Sequence, residues 1–465
     1  MREARHRLAP AVPGMRATAL LGICALVLGA CGKGSHAAGG PTAKLAPVAE
    51  QGAITLSTRN TTRLGGADAA TDAAAVARVV YPGLTASTRP PAVLLVGEGD
   101  WPAALAGSVM AAAPNGWPML FADAKTLPDV TLETLRALQP TGATALGGAQ
   151  VIRIGTTAEL PKGYVARTLS PGGPAETTAA VQRLERSVSS GSEPRQAIVL
   201  AADTPHPLAA PAAGLAAESG APILFVTNSG VPPATAAALR SLHRPSIYVL
   251  DASALSTKTR AALRRFGTVT TLTKGDAPRE RFTANSISVA RFTDGTFGWG
   301  VKDPGHGLVV ANADRPLDGP AAALLSATAQ YGPLLMLERP RGIPAALSSY
   351  LGDIQPAYAS APEFQPVRGV YNHGWLIGDE TAVSAVTQAE LDSLLEITER
   401  EKPATETSTG QPESPSAPEE TPSKPSEEAQ SGNEETKSTK TQTTPTQTQT
   451  TQSKQPEEQS SKTSK

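Results

Sequence analysis

Ala92-Val93-Leu94-Leu95-Val96-Gly97-Glu98-Gly99-Asp100-Trp101-Pro102 runs from an apolar stretch of strand length into a turn, and the Ala103-Ala104-Leu105-Ala106 that follows favours helix. A continuous apolar run is the pattern of a strand covered on both faces, hence of a parallel sheet between helices. The ending of this stretch recurs. Asp203-Thr204-Pro205 and Asp314-Arg315-Pro316 also close apolar runs and also lead into Ala-rich sequence. Each copy then has a second apolar run, Pro118-Met119-Leu120-Phe121, Pro222-Ile223-Leu224-Phe225 and Pro333-Leu334-Leu335-Met336. The first prolines, Pro102, Pro205 and Pro316, recur at nearly equal intervals, and the second, Pro118, Pro222 and Pro333, follow them in step, so both motifs keep one register. Such a period marks three copies of one fold unit, and a chain of 465 residues accommodates them comfortably.

Within the first copy a helix is predicted from Ala103 to Ala113, and a second buried strand from Pro118 to Ala122. Pro128 suits the first turn of a further helix, whose Leu132, Leu135 and Leu138 form one apolar face. Thr144-Ala145-Leu146 reads as a third strand, ending in Gly147-Gly148. Strand, helix, strand, helix, strand implies parallel pairing through crossovers, and so a three-layer α/β sandwich. The second copy repeats this with strands over Ala197–Leu200, Pro222–Val226 and Ile247–Leu250, and a helix opened by Pro232-Pro233. The separation from Pro118 to Leu146 equals that from Pro222 to Leu250, whereas Pro333 to Ile377 is longer, which places an inserted surface loop between Arg339 and Val370. Ahead of each first strand a helix is predicted, with the equally spaced Thr71, Thr177 and Thr283 as N-caps.

The ends of the chain differ in composition from these copies. Arg2, Arg5, Arg7 and Arg16 precede an apolar run from Ala17 to Leu28, the pattern of an export signal and too short to span a bilayer. The run ends in Leu28-Gly29-Ala30-Cys31, which resembles a bacterial lipobox. That resemblance implies cleavage before Cys31 and a thiol carrying diacylglycerol, with palmitate as a further acyl group; an incidental cysteine at an ordinary cleavage site is the alternative. The two cysteines are Cys24 and Cys31, so a chain cut there would hold no disulfide. Translation from Met15 would also give a signal. Lys402 to Lys465 lacks Leu, Ile, Val and aromatic residues, and such a segment cannot offset its ordering entropy. The divisions are therefore a signal over 1–30, a tether over 31–56, units over 57–160, 161–272 and 273–400, and a disordered tail over 401–465.

With the repeats in register, the chain resembles the bacterial cell wall-binding repeat family of type 2. Arg63-Leu64-Gly65-Gly66 with Thr71 looks like the family's arginine element. Pro102-Ala103-Ala104-Leu105 looks like its Pro-Asp-Ala-Leu element, Pro118-Met119-Leu120-Phe121 like its Pro-Ile-Leu-Leu strand, and Leu146-Gly147-Gly148 like its Ile-Gly-Gly turn. The third copy has Leu376-Ile377-Gly378. The family's aspartate after proline is replaced by Ala103, His206 and Leu317, and the arginine element is clear in the first copy alone. The resemblance implies three units about a pseudo-threefold axis that hold anionic wall polysaccharide non-covalently. The candidate polymer-binding residues are Arg63, Asp68 and Thr71 around the arginine element and Asp100, Asp203 and Asp314 at the strand ends, with the first unit best equipped.

The net charge of −1 argues against a nucleic-acid partner, which would need a basic surplus. His206, His243, His306 and His373 are scattered without metal-ligand spacing, and no cofactor is implied. No nucleophile elbow or phosphate loop occurs, and Asp203 with His206 lacks a neighbouring nucleophile, so no enzyme is expected. Asp100, Asp203 and Asp314 stand either at strand ends, where parallel sheets place ligands, or as caps of the following helices; capping is favoured. Basic candidates for polyanion contact are Arg63, Arg78 and Arg136, then Arg240, Arg244, Lys258, Arg260, Arg264 and Arg265, then Arg291, Arg339 and Arg341. The expectation is an extracytoplasmic, lipid-anchored wall-binding protein; a solute-binding lipoprotein with a small-molecule ligand is the alternative.

Overall fold

The two apolar runs of each copy form two short strands, buried over nearly their whole length, and helices cover them on either side. The computed structural model describes residues 54–399 apart from 171, 190–194, 274–280, 330–331 and 359–370. Strands β1 (Ile54–Ser57) and β2 (Thr61–Gly65) lead into helix α1 (Ala69–Val80). Then come β3 (Val93–Gly97), α2 (Trp101–Gly107), β4 (Met119–Ala122), α3 (Asp129–Leu138), β5 (Val151–Ile154), β6 (Ala166–Leu169) and α4 (Pro174–Val188). The second copy continues with β7 (Gln196–Ala201), α5 (His206–Ala209), α6 (Pro211–Ser219), β8 (Ile223–Val226), α7 (Pro233–Ser241), β9 (Ser246–Val249), α8 (Thr257–Leu263), β10 (Thr268–Thr271) and α9 (Arg281–Arg291). The third holds β11 (Gly307–Asn312), α10 (Asp318–Leu324), β12 (Leu334–Leu337), α11 (Ala345–Asp353), β13 (Ala357–Tyr358), β14 (His373–Ile377), α12 (Ala385–Leu394) and β15 (Thr398–Glu399).

Three small sheets result, ordered β4-β3-β5-β6, β8-β7-β9-β10 and β12-β11-β14-β2-β1, with β13 and β15 as a separate pair. All neighbours are parallel except β1 with β2. The fold is therefore the expected series of small parallel α/β units. How it closes was not legible. The fourth strand of the first and second sheets is the next strand in the chain, but the third sheet takes β2 from the start of the described chain, pairing Gly374 with Thr61 and Ile377 with Leu64. The helix after each of these strands packs on the next sheet: α4 on β8, α9 on β12 and α1 on β4. The three units thus form a closed cycle, completed by hydrogen bonds rather than by a peptide link.

The Ala-rich stretches have a packing reason. Helices α2, α6 and α10 follow the three Asp-x-Pro triplets and pack against one another at the centre. A Cβ added at Gly319 would lie 3.1 Å from the Ala210 Cβ, and one at Gly214 would lie 2.8 Å from the Ser326 Oγ. At these points of closest approach the helices leave room for a small side chain or none. Their burial joins residues of all three copies, among them Ala103, Ala213 and Ala322, into one core.

Local readings are corrected in four places. Thr144–Leu146 is a 3-10 turn rather than a strand, held by an antiparallel bridge between Ala143 and Ala149 and turned by Gly147 at φ 68°. The third strand is Val151–Ile154, hidden in the sequence because Arg153 interrupts its apolar run; the guanidinium bonds the Thr168 hydroxyl and the Ala158 carbonyl, each at 3.0 Å. The matched spacing of Leu146 and Leu250 is therefore a coincidence. Residues Gly155, Asp251 and Gly378, all at positive φ, follow the equivalent strands. Thr71, Thr177 and Thr283 lie in the first turns of α1, α4 and α9 but are not N-caps; Asp68 caps α1 and Gly173 precedes α4. Pro128 occupies the N-cap rather than the first turn of α3, as Pro344 does for α11, whereas Pro232-Pro233 opens α7 as expected, Pro232 at the N-cap and Pro233 as its first residue. Finally, the long segment of the third copy contains α11 and β13, and its remainder over 359–370 lies outside the described residues.

Candidate functional site

The three central strands β3, β7 and β11 all end in an Asp-x-Pro loop, so parallel pairing gathers the triplets at the carboxyl ends of the sheets. Their aspartates do different things there. Asp100 is partly buried and caps α2, its carboxylate accepting from the Ala103 N–H at 3.1 Å. A Cβ at Gly155 would lie 2.5 Å from that carboxylate, so glycine is required for the cap and the neighbouring strand end to coexist. Asp203 and Asp314 are exposed, and the caps of α5 and α10 are Pro205 and Leu317. Capping explains the first aspartate and not the other two.

The loops touch. Trp101 stacks on His206 with ring centroids 4.3 Å apart and planes 17° apart, and Phe225 lies 5.9 Å from Trp101. Desolvation lowers the pKa of His206. The second and third loops share a cleft of about 460 Å³ lined by Asp203, Thr204, His206 and Asp314, with Pro205 and Pro316 at its walls. Among the described residues, the buried Thr204 hydroxyl and the Trp101 Nε1 have no hydrogen-bond partner. Glu98 and Asp123 also follow strands at this end, and repulsion from Asp123 and Asp68 adds to burial in raising the Glu98 carboxyl. Carboxylates so placed accept from sugar hydroxyls and repel phosphate.

Arg63, Asp68 and Thr71 sit where the cycle closes. Arg63 is 2% exposed. Its Nε donates to Gln388 Oε1 at 3.0 Å, and its Nη atoms donate to the Gly378 and Val383 carbonyls at 3.1 and 2.6 Å. The guanidinium is spent inside the protein, and burial lowers its pKa against the pull of Glu380 and Asp379. Asp68 is exposed and accepts from the Thr71 N–H at 2.8 Å, the cap of α1. Cys31 lies outside the described residues.

Beside Arg63 is a charge cluster that the sequence did not announce. Arg315, the middle residue of the third triplet, bonds the buried Asp72 of α1, and its Nε is 3.0 Å from the buried Asp318 Oδ2. Its Nη1 lies 3.7 Å from Asp379. Desolvation raises Asp72 to about 6, against the attraction of Arg315, and raises Asp318 well above the ordinary range. Each carboxyl group bears on the ionisation of the other, so the pair titrates as a unit. Asp72 also accepts from the Gly66 N–H at 2.8 Å, which ties α1, β2 and the third copy together.

Among the described residues, no three His, Cys, Asp or Glu side chains are grouped to hold a metal ion, and no helix is long and apolar enough to cross a membrane. Comparison with solved structures shows the same fold. The chain is similar to Cwp6 from Clostridium difficile, with a TM-score of 0.54 and 17% identity over 74% of this chain and 51% of that one. It is also similar to Cwp8 from Clostridium difficile, with a TM-score of 0.52 and 15% identity over 73% of this chain and 53% of that one. The chain therefore spans about half the length of the solved structures it matches. No curated protein matches it. Residues 63–157, from the buried arginine through the first sheet, match the family Cell wall binding domain 2 (CWB2), so the resemblance drawn from the repeat holds and the chain carries a cell wall-binding repeat of type 2.

Proposed function

We propose that the protein holds an anionic polymer of the cell wall non-covalently, from an N-terminus lipidated on Cys31 and exposed outside the cytoplasm. The observation that carries this reading is the CWB2 match over 63–157, placed in a cycle of three like units. The domain family supports attachment to the wall in general; the anionic character of the polymer rests on the family resemblance and the lipid on the resemblance of Leu28-Gly29-Ala30-Cys31 to a lipobox. No reaction is assigned. His206 is stacked on Trp101 and the neighbouring Thr204 hydroxyl is buried, so the one Asp-His pair of the loops faces no exposed nucleophile. A solute-binding protein would need two lobes closing on a ligand, and a centre packed with small helices disfavours that.

Co-sedimentation tests the reading. The full chain is expected to pellet with isolated cell-wall sacculi at low salt and to be released progressively as salt rises, because exposed charge pairs are screened. A chain that stays in the supernatant at every ionic strength would refute it. For the anchor, Cys31→Ala is expected to move the protein from the membrane fraction to the soluble fraction of the expressing cells; unchanged fractionation would refute lipidation.

A further inference from the structure

Arginines gather where β7, β9 and β10 of the second unit begin, with Glu218 nearby in a cleft with Gln196, while Lys258 and Arg260 lie on α8, which opens at the opposite end. Asp203 and Asp251 stand where β7 and β9 end, while Arg195 and Arg244 stand just before these strands begin and Arg264 and Arg265 lie shortly before β10. The sheet order β10-β9-β7 and the register bring the three starts side by side, Gln196 and Thr268 both facing Ser246. The backbone confirms their closeness: the Ser246 N–H donates to the Arg195 carbonyl at 2.8 Å, and a Cβ at Gly267 would lie 1.9 Å from the Pro245 carbonyl oxygen. Neighbouring strands are about 4.8 Å apart, so arginines from three chain segments span roughly 10 Å.

All these arginines are exposed, as is Arg240 at the end of α7, whose guanidinium lies 5.5 Å from the Phe266 ring. Among the described residues, none of the five is in an ion pair with a carboxylate. The third unit contrasts with this, since there Arg59 pairs with Glu396 and Arg291 with Asp353. Attraction to a helix C-terminus accounts for Arg240 and Arg264. It does not account for Arg195 and Arg244, which lie outside helices. Moreover, His243 and Arg244 are consecutive non-glycine residues at φ 54° and 63°, a strained conformation that sets the arginine at the sheet edge.

We propose that this strand-start edge of the second sheet is an anion-binding surface that takes successive phosphate or carboxylate groups of a linear polymer. Guanidinium forks match both groups, and a row suits a chain carrying charge at each repeat. The proposal rests on the wall-polymer reading above and names where the polymer's charges are held. It puts them on the second unit rather than the first, and away from the acidic loops at the opposite strand ends.

The test uses the full chain carrying Arg244→Glu, Arg264→Glu and Arg265→Glu, three exposed positions whose reversal leaves the core alone. Binding is measured to sacculi, to soluble polyphosphate and to polygalacturonate, with Asp203→Lys plus Asp314→Lys as the comparison variant. The triple variant is expected to bind roughly tenfold to a hundredfold more weakly, with a shallower salt dependence, while the comparison variant binds no more weakly than the parent. The preferred soluble polymer tells phosphate from carboxylate. Parent and triple variant binding sacculi equally would overturn the row and leave the wall reading standing. Binding to the soluble polyanions through these arginines without binding to sacculi would do the reverse. A parent that binds none of the three polymers overturns the row.

Discussion

A chain that begins at Asp68, and so lacks β2, is expected to lose cooperative unfolding of its third sheet. Leu64 is fully buried, and its removal alone forfeits about 1.5–3 kcal/mol of apolar burial. The Gly374 and Gly378 N–H groups lose the carbonyls of Asn60 and Leu64, and an unpaired buried amide costs about 1–3 kcal/mol. Arg63 goes too, leaving the Gly378 and Val383 carbonyls and Gln388 without their donor. Together these losses reach the order of 5–10 kcal/mol, comparable to the whole stability of a domain. Urea unfolding followed by circular dichroism should show a broadened, early transition, and a synthetic peptide of residues 54–67 should restore the parent curve by adding its strand at the vacant edge. A truncated chain with the parent midpoint would show that β2 is dispensable.

Arg315→Ala is expected to destabilise the fold by about 3–5 kcal/mol, because it strands a buried carboxyl pair without its cation. The effect should depend on pH. Folding raises Asp72 to about 6 and Asp318 well above the ordinary carboxylate range, so the folded state binds more protons than the unfolded chain from pH about 4 up to those raised values. The stability this pair contributes is complete below that range and is lost as pH rises through it. Removing Arg315 pushes both carboxyls higher still, so the penalty should be smaller at pH 5 than at pH 8. Adding Asp318→Asn to Arg315→Ala removes one buried charge and should recover part of the loss at pH 8. Melting temperatures at the two pH values decide the matter, and an equal loss at both would show that Arg315 acts by packing alone.

What the sequence revealed depended on whether an element is covered. β3, β4, β7, β8, β11 and β12 are continuous apolar runs because helices lie over both faces, and all six are legible. Ala166-Arg167-Thr168-Leu169 and Thr268-Val269-Thr270-Thr271 are edge strands open to water, so nothing forces them to be apolar. β2 is buried yet polar, since Arg63 and its neighbours are satisfied by Gln388 and other partners at the far end of the described chain, and such pairing leaves no local pattern. The same holds for function. Capping by Asp100 was readable because its donor lies within the next turn of chain, whereas the arginine row exists only once the order β10-β9-β7 brings Arg195, Arg244 and Arg265 together.

The borrowed strand also sets an order of events. β2 leaves the ribosome before either complete sheet, yet its partner β14 is made only after both of them. Sheets one and two can form from neighbouring segments as they emerge, but the third waits for nearly the whole folded body to be synthesised. Closing so long a loop carries a large entropic penalty, and contacts of high sequence separation form slowly. During that wait β2 has β1 on one side and an open edge on the other, guarded by its threonines and arginine rather than by an apolar face. Its polar composition, which hid it as a strand, is therefore also what allows this early-made strand to remain soluble until its partner β14 is ready to dock.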